Sequence, residues 1–225
     1  MRLPKFIAIS VCLLMISQTA LADNIDEFLR LKMKEMEIPG LQVAVVKNGK
    51  IIKSASYGIA NIQNMVAVDN DTVFNIASIT KAFTSVAVMQ LVEHGKIILN
   101  AAISSYIEDL PQSWQQITVN QLLSHTSGLP NIMNQHFQLI DSEGEEQSWE
   151  ALLEKDLLFT PGSQFHYNQT NYLLIGRIIQ RISGKSYSTL IQEHQLNKVS
   201  MSKTADAGFA HFESVNAHQA RDYRK

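Results

Sequence analysis

The 225-residue sequence has almost no cysteine. Its single one, Cys12, stands within the first 22 residues, so the rest of the chain has no disulfide framework. Long apolar runs are as scarce. Phe6 to Ile16 is shorter than the about 20 residues a spanning helix needs, and no later stretch is long and apolar enough to cross a membrane. Arg2 and Lys5 precede this run, and Ala20-Leu21-Ala22 closes it with small residues at the two positions a signal peptidase reads. Val11 is larger than the residue a lipoprotein signal places before its cysteine. The pattern predicts a secretory leader over residues 1–22 cleaved before Asp23, a domain over residues 23–225, and a periplasmic or secreted product without stable membrane insertion.

Surplus positive charge is missing too. Without Arg2 and Lys5 the 19 basic residues fall to 17 against 21 acidic ones, a formal charge of −4, which argues against a nucleic-acid partner. Several catalytic signatures are absent: the Gly-x-Ser-x-Gly elbow of α/β-hydrolases, the His-Glu-x-x-His of zinc proteases and the glycine-rich phosphate loop. The seven histidines show no metal spacing with carboxylates, so no metal or cofactor is implied.

What the chain has is 45% apolar residues, enough for a packed core. Ile25 to Ile38 carries a helical apolar period that Pro39-Gly40 ends. Leu41 to Val46 and Ile51 to Tyr57 flank Asn48-Gly49, a strong hairpin signal, and the hairpin needs further strands beside it. Ile79 to Glu93 reads as a nearly fully buried helix ended by His94-Gly95. Shorter helices are predicted at Ile103 to Glu108, Val119 to Ser124, Trp149 to Lys155, Asn171 to Ile182 and Tyr187 to Leu196, with a short strand near Phe165. Asp141 to Gln147 reads as a solvated acidic loop.

Chemistry enters at Asn75-Ile-Ala-Ser-Ile-Thr-Lys-Ala-Phe83. A serine hydroxyl needs a neighbouring base to become a nucleophile. Ser78 and Lys81, three apart at a helix start, share one face within side-chain reach. The positive helix terminus favours a neutral lysine and an anionic oxygen at Ser78. The competing role is a helix cap, and the spacing alone does not choose, because Ser200-Met-Ser-Lys203 repeats it without a long helix behind it.

Three ordered stretches carry a resemblance. Phe74 to Phe83, Ile117-Thr-Val-Asn-Gln-Leu-Leu-Ser-His-Thr-Ser-Gly-Leu-Pro130 and Pro161-Gly-Ser-Gln-Phe-His-Tyr-Asn-Gln-Thr-Asn-Tyr172 resemble motifs of the serine β-lactamase and penicillin-binding-protein superfamily, in its class C-like branch of β-lactamases, esterases and D-amino-acid peptidases. The resemblance implies an α/β (α+β) fold, an antiparallel sheet flanked by helices with an all-helical region inserted. It implies acyl-serine chemistry on a small-molecule or peptide substrate. Ser78 would be the nucleophile, Lys81 a base and proton shuttle, and Tyr167 the second general base. His125 and Ser127 invite a triad reading, but the resemblance makes their segment a structural turn.

Two departures stand out. Where the family has Tyr-x-Asn, this sequence has Tyr167-Asn168-Gln169, which makes Gln169 the candidate substrate contact, or Asn168 if the backbone differs. The third motif, Lys-Thr-Gly or His-x-Gly, has no match, since Lys203-Thr204-Ala205 lacks the glycine. The expectation is a chain truncated before its closing C-terminal strands. Two function classes follow: an exported serine hydrolase, or a non-catalytic remnant that binds a ligand without turnover.

Overall fold

The computed structural model describes residues 24–204 and 218–221. The leader expected over residues 1–22 and the alanine of Lys203-Thr204-Ala205 lie outside the described residues. The chain divides into two compact units, residues 1–75 with 217–225, and residues 76–216.

The first unit begins with helix α1, residues 24–35, followed by strands β1 (Gly40–Lys47), β2 (Lys50–Asn61) and β3 (Val66–Ala67). They form one antiparallel sheet in the order β1-β2-β3. Asn48 and Gly49 make the predicted two-residue turn, both left-handed with φ 52° and 72°, as a primed hairpin turn requires. β3 escaped the sequence reading because two residues carry no period. Val73 makes a parallel bridge to Gln219, its N–H donating to the His218 carbonyl at 2.9 Å, and Arg221 N–H donates to the Ala60 carbonyl of β2 at 2.9 Å, so a return segment supplies part of the pairing the hairpin needed. Asp26 fastens α1 to β2, accepting from Lys53 Nζ and Tyr57 Oη.

The second unit is helical: α2 (Thr80–Glu93), α3 (Val119–Leu123), α4 (Glu145–Leu153), α5 (Thr170–Ser183) and α6 (Tyr187–His194). Its core gathers Val88, Trp114, Ile117, Leu122, Leu174 and Ile178, each 1% exposed or less. A capping box starts α3: Thr118 Oγ1 accepts from Gln121 N–H while Gln121 Oε1 accepts from Thr118 N–H. Gly184, left-handed at φ 67°, ends α5.

Several expectations change. α2 is not nearly all buried: Thr84, Ala87, Val88 and Leu91 are, while Val86 and Met89 stay 47% and 46% exposed. The buried stripe is Thr84, Ala87, Val88 and Leu91, with Thr84 bonding Tyr187 of α6 and the adjacent Ser85 bonding Tyr172 of α5, and a helix apolar on every side gives no hint of which face that is. The acidic stretch is half helix, because α4 begins at Glu145, where Glu145 and Glu146 complement the positive helix terminus. The helix expected at Ile103 to Glu108 is a single 3-10 turn, Ile103–Ser105. Residues 164–168 are irregular, with no strand at Phe165.

The segment from His125 to Asn131 acts as a spine for residues 158–170. Leu158 N–H donates to the Gly128 carbonyl, Gly162 N–H to Thr126 and His166 N–H to His125, at 2.7–2.9 Å. Gly128 sits at φ 74°, and a Cβ there would lie 2.1 Å from the Phe159 carbonyl oxygen. Gly128→Ala is therefore expected to lower stability by about 2 kcal/mol, from left-handed strain and that backbone collision, read as a lower urea midpoint at unchanged slope.

Candidate active site

Ser78 lies in a 3-10 turn, Ala77–Ile79, that leads directly into α2. Ala77 adopts φ 43°, a left-handed conformation unusual for alanine. The residue flanking the first turn of α2 is Ile79, and no side chain caps that helix, so the Ser78 hydroxyl is not used as a cap. It is exposed instead, with Lys81 Nζ donating to its Oγ at 3.3 Å. The Tyr167 hydroxyl lies 2.7 Å from the same Oγ. Lys81 also donates to Gln169 Oε1 at 2.8 Å and sits over the rings of Tyr167 and Tyr172, 4.9 and 5.3 Å from their centroids. All four predicted site residues, Ser78, Lys81, Tyr167 and Gln169, thus form one contiguous cluster within the second unit.

Two opposed influences act on the Tyr167 phenol. Burial favours its neutral form, but donation from Lys81, Ser78 and Gln169 and the lysine charge outweigh it, holding the phenol below the ordinary tyrosine range. The Tyr167 oxygen is within hydrogen-bond distance of the Ser78 hydroxyl, at 2.7 Å.

The unusual Tyr-Asn-Gln string resolves by burial. Asn168 is 1% exposed and turns inward, its Nδ2 donating to the Leu129 carbonyl and its Oδ1 accepting from Asn171 N–H. Gln169 is the amide that reaches Lys81. Its backbone N–H donates to Asn131 Oδ1 at 3.0 Å, and Thr170 Oγ1 donates to the Pro130 carbonyl while accepting from Ile132 N–H. These bonds deliver Tyr167 and Gln169 to Ser78 from the spine.

His125 and Ser127 form no triad. Ser127 is fully buried and donates to Asn171 Oδ1 at 2.5 Å. His125 Nδ1 accepts from Asn171 Nδ2 at 3.0 Å. Ser200, the serine of the competing spacing, closes the 3-10 turn Leu196–Val199 in a left-handed conformation rather than opening a helix. Among the described residues no group of three or more His, Cys, Asp or Glu could hold a metal ion, and no helix is long and apolar enough to cross a membrane.

Sequence reasoning missed Tyr172, Asn131 and the contact of His125 with the tyrosine. The His125 ring packs on Tyr167, Tyr172 and Phe165. Burial, then the charges of Lys81 and His166, push its pKa down from 6.5 to about 4. The unfolded chain therefore takes up this proton as pH falls below about 6.5 while the folded chain resists until about 4. Stability is expected to fall by about 3 kcal/mol across that window and to lose nothing more from this group below it. Urea unfolding followed by far-ultraviolet circular dichroism at pH 7 and pH 4, compared with His125→Asn, isolates that share.

A three-stranded antiparallel sheet with a helical unit carrying Ser-x-x-Lys against a tyrosine defines the β-lactamase and transpeptidase class of fold. A β-lactamase family model matches residues 25–222, and the chain belongs to that family. Protein flp of Staphylococcus aureus (strain MW2) is 31% identical over 186 residues, covering 80% of this chain and 37% of that protein. Among solved structures, the octameric penicillin-binding protein homologue from Pyrococcus abyssi is 28% identical with TM-score 0.68, over 80% of this chain and 43% of that one. A class C β-lactamase is 26% identical with TM-score 0.71, over 82% and 51%. The chain spans about two fifths to one half of the length of these relatives.

Proposed function

We propose that this chain is an exported serine hydrolase that works through an acyl-serine intermediate on an ester or amide, with small esters, β-lactams and D-amino-acid peptides as the substrate classes. The observation that carries the reading is the 2.7 Å approach of Tyr167 Oη to Ser78 Oγ with Lys81 Nζ at 3.3 Å from that oxygen. Ser78 Oγ attacks the carbonyl carbon and passes its proton to Tyr167. Lys81 keeps the phenolate favoured and carries protons between the two oxygens. The leaving group departs with a proton, and water, deprotonated by the same tyrosine, releases the acyl group. Gln169 orients Lys81 and contacts the substrate amide or ester. The leader over residues 1–22 would carry the protein to the periplasm or beyond.

A second reading is a chain that binds a ligand here without turnover, since neither Lys-Thr-Gly nor His-x-Gly occurs in this sequence and Lys203-Thr204-Ala205 is only the nearest string. A fluorophosphonate probe separates the two. The hydrolase reading expects a covalent adduct mapped by mass spectrometry to Ser78, together with turnover of a p-nitrophenyl ester. An unmodified Ser78 at saturating probe overturns it.

A further inference from the structure

His125 belongs to neither the nucleophile nor its base, yet it is more tightly held than either. It is 7% exposed, its backbone is left-handed at φ 57°, and its carbonyl accepts from His166 N–H. Its Nδ1 accepts from Asn171 Nδ2 at 3.0 Å and from the Asn168 N–H at 3.4 Å. With Nδ1 an acceptor, the ring proton of the neutral imidazole is on Nε2. Asn171 is itself fixed, because its Oδ1 accepts from the buried Ser127 hydroxyl. The chain Ser127 to Asn171 to His125 leaves the imidazole no rotational freedom, since turning the ring would strand a buried amide donor.

The face of that ring meets Tyr167. The two centroids are 4.4 Å apart with planes inclined at 42°. Tyr172 flanks the imidazole at 5.3 Å. The phenol is 41% exposed and set in an irregular segment, and its other contacts, the Ser78 hydroxyl at 2.7 Å and the Lys81 ammonium 4.9 Å from its centroid, fix an oxygen and a point charge rather than a ring plane. The 2.7 Å spacing of its oxygen from Ser78 depends on that plane.

We propose that His125 is a positioning residue for Tyr167: its locked imidazole is the platform against which the phenol ring rests, and this contact holds Tyr167 Oη in line with Ser78 Oγ. It acts only through the tyrosine and touches neither Ser78 nor substrate. The inference rests on the acyl-serine reading of Ser78. Lys81 also approaches the Tyr167 ring, 4.9 Å from its centroid, while donating to Gln169 Oε1, and it is left in place by the substitutions that test the platform. The depressed pKa of the imidazole agrees with the role, since a charged ring would lose its Asn171 bond and stand beside the Lys81 cation.

Two substitutions pull the platform and the hydrogen bond apart. His125→Asn tolerates the left-handed backbone and offers Asn171 an acceptor, but presents no ring. His125→Phe presents a ring to Tyr167 and offers no acceptor. If His125 serves only the fold, the rate should follow stability. As a platform it makes them diverge: His125→Asn unfolds near the wild-type urea midpoint yet labels with fluorophosphonate about tenfold more slowly or worse. His125→Phe unfolds at lower urea yet regains most of that rate. The tyrosine ¹³Cζ resonance assigned to Tyr167 by Tyr167→Phe should titrate at higher pH in His125→Asn than in wild type. A folded His125→Asn with wild-type labelling rate and unmoved Tyr167 titration overturns the proposal, as does a folded His125→Phe as slow as the asparagine variant. If His125→Phe does not fold, the asparagine variant decides by the same result. If His125→Asn does not fold, a folded His125→Phe that labels about tenfold more slowly than wild type overturns the proposal, while one near the wild-type rate at a lowered urea midpoint supports it. Wild-type protein that never labels at Ser78 overturns the hydrolase reading and this inference with it, whereas labelled wild type with unaffected variants overturns this inference alone.

Discussion

Ser78→Ala is expected to reduce hydrolysis of a p-nitrophenyl ester by about 10⁴-fold or more and to abolish fluorophosphonate labelling. The alanine removes the oxygen on which the acyl group would form, and no neighbour can take its place. The groups that face Ser78 are the Tyr167 phenol and the Lys81 amine, and Ser127, another serine of the helical unit, is buried on Asn171. The fold should barely notice. Ser78 is exposed and caps no helix, so its urea midpoint should match wild type within about 0.5 kcal/mol. Ester turnover in the alanine variant within tenfold of wild type would remove Ser78 from the mechanism.

Tyr167→Phe should cost less, about 10² to 10⁴ in acylation rate, the usual share of a positioned acid or base. Phenylalanine keeps the ring against His125 and removes only the oxygen 2.7 Å from Ser78. The pH profile carries the more specific signature. Net hydrogen bonding and the Lys81 charge hold the Tyr167 phenol below its ordinary value of 10.0 despite burial. The wild-type rate should therefore climb with pH as the phenol loses its proton, and level off at a lower pH than a free tyrosine would set. In Tyr167→Phe that limb should vanish, leaving a slow and flatter profile. A phenylalanine variant that keeps the wild-type limb would assign the titration to another group.

Features written locally were legible in the sequence, and features assembled over distance were not. Asn48-Gly49 announced its turn because the two residues that need left-handed backbone are adjacent. Ser78 and Lys81 could be paired from their spacing, since a helix start puts positions three apart on one face. Tyr167 stands 89 residues from Ser78, and only the resemblance of its segment to a family motif connected them. The choice between Asn168 and Gln169 turned on which amide points inward, a question of tertiary contacts with Leu129 and Asn171. His125 looked like a turn residue and is one, but its ring face was invisible from sequence. The exposed Val86 and Met89 misled for a simpler reason: apolar residues surround α2, so no period marks the face that packs.

Trp114 and Trp149, the only two tryptophans of the chain, meet edge to face at 6.0 Å inside the helical unit, where Arg177 also stacks on Trp149 at 4.2 Å. The sheet unit, residues 1–75 with 217–225, has none. Intrinsic fluorescence excited at the indole band is therefore a private reporter: it follows the unit that holds Ser78 and is blind to the hairpin. Far-ultraviolet dichroism sees both. Superimposed melting curves from the two signals mean one cooperative transition, and separated ones mean that each unit melts on its own.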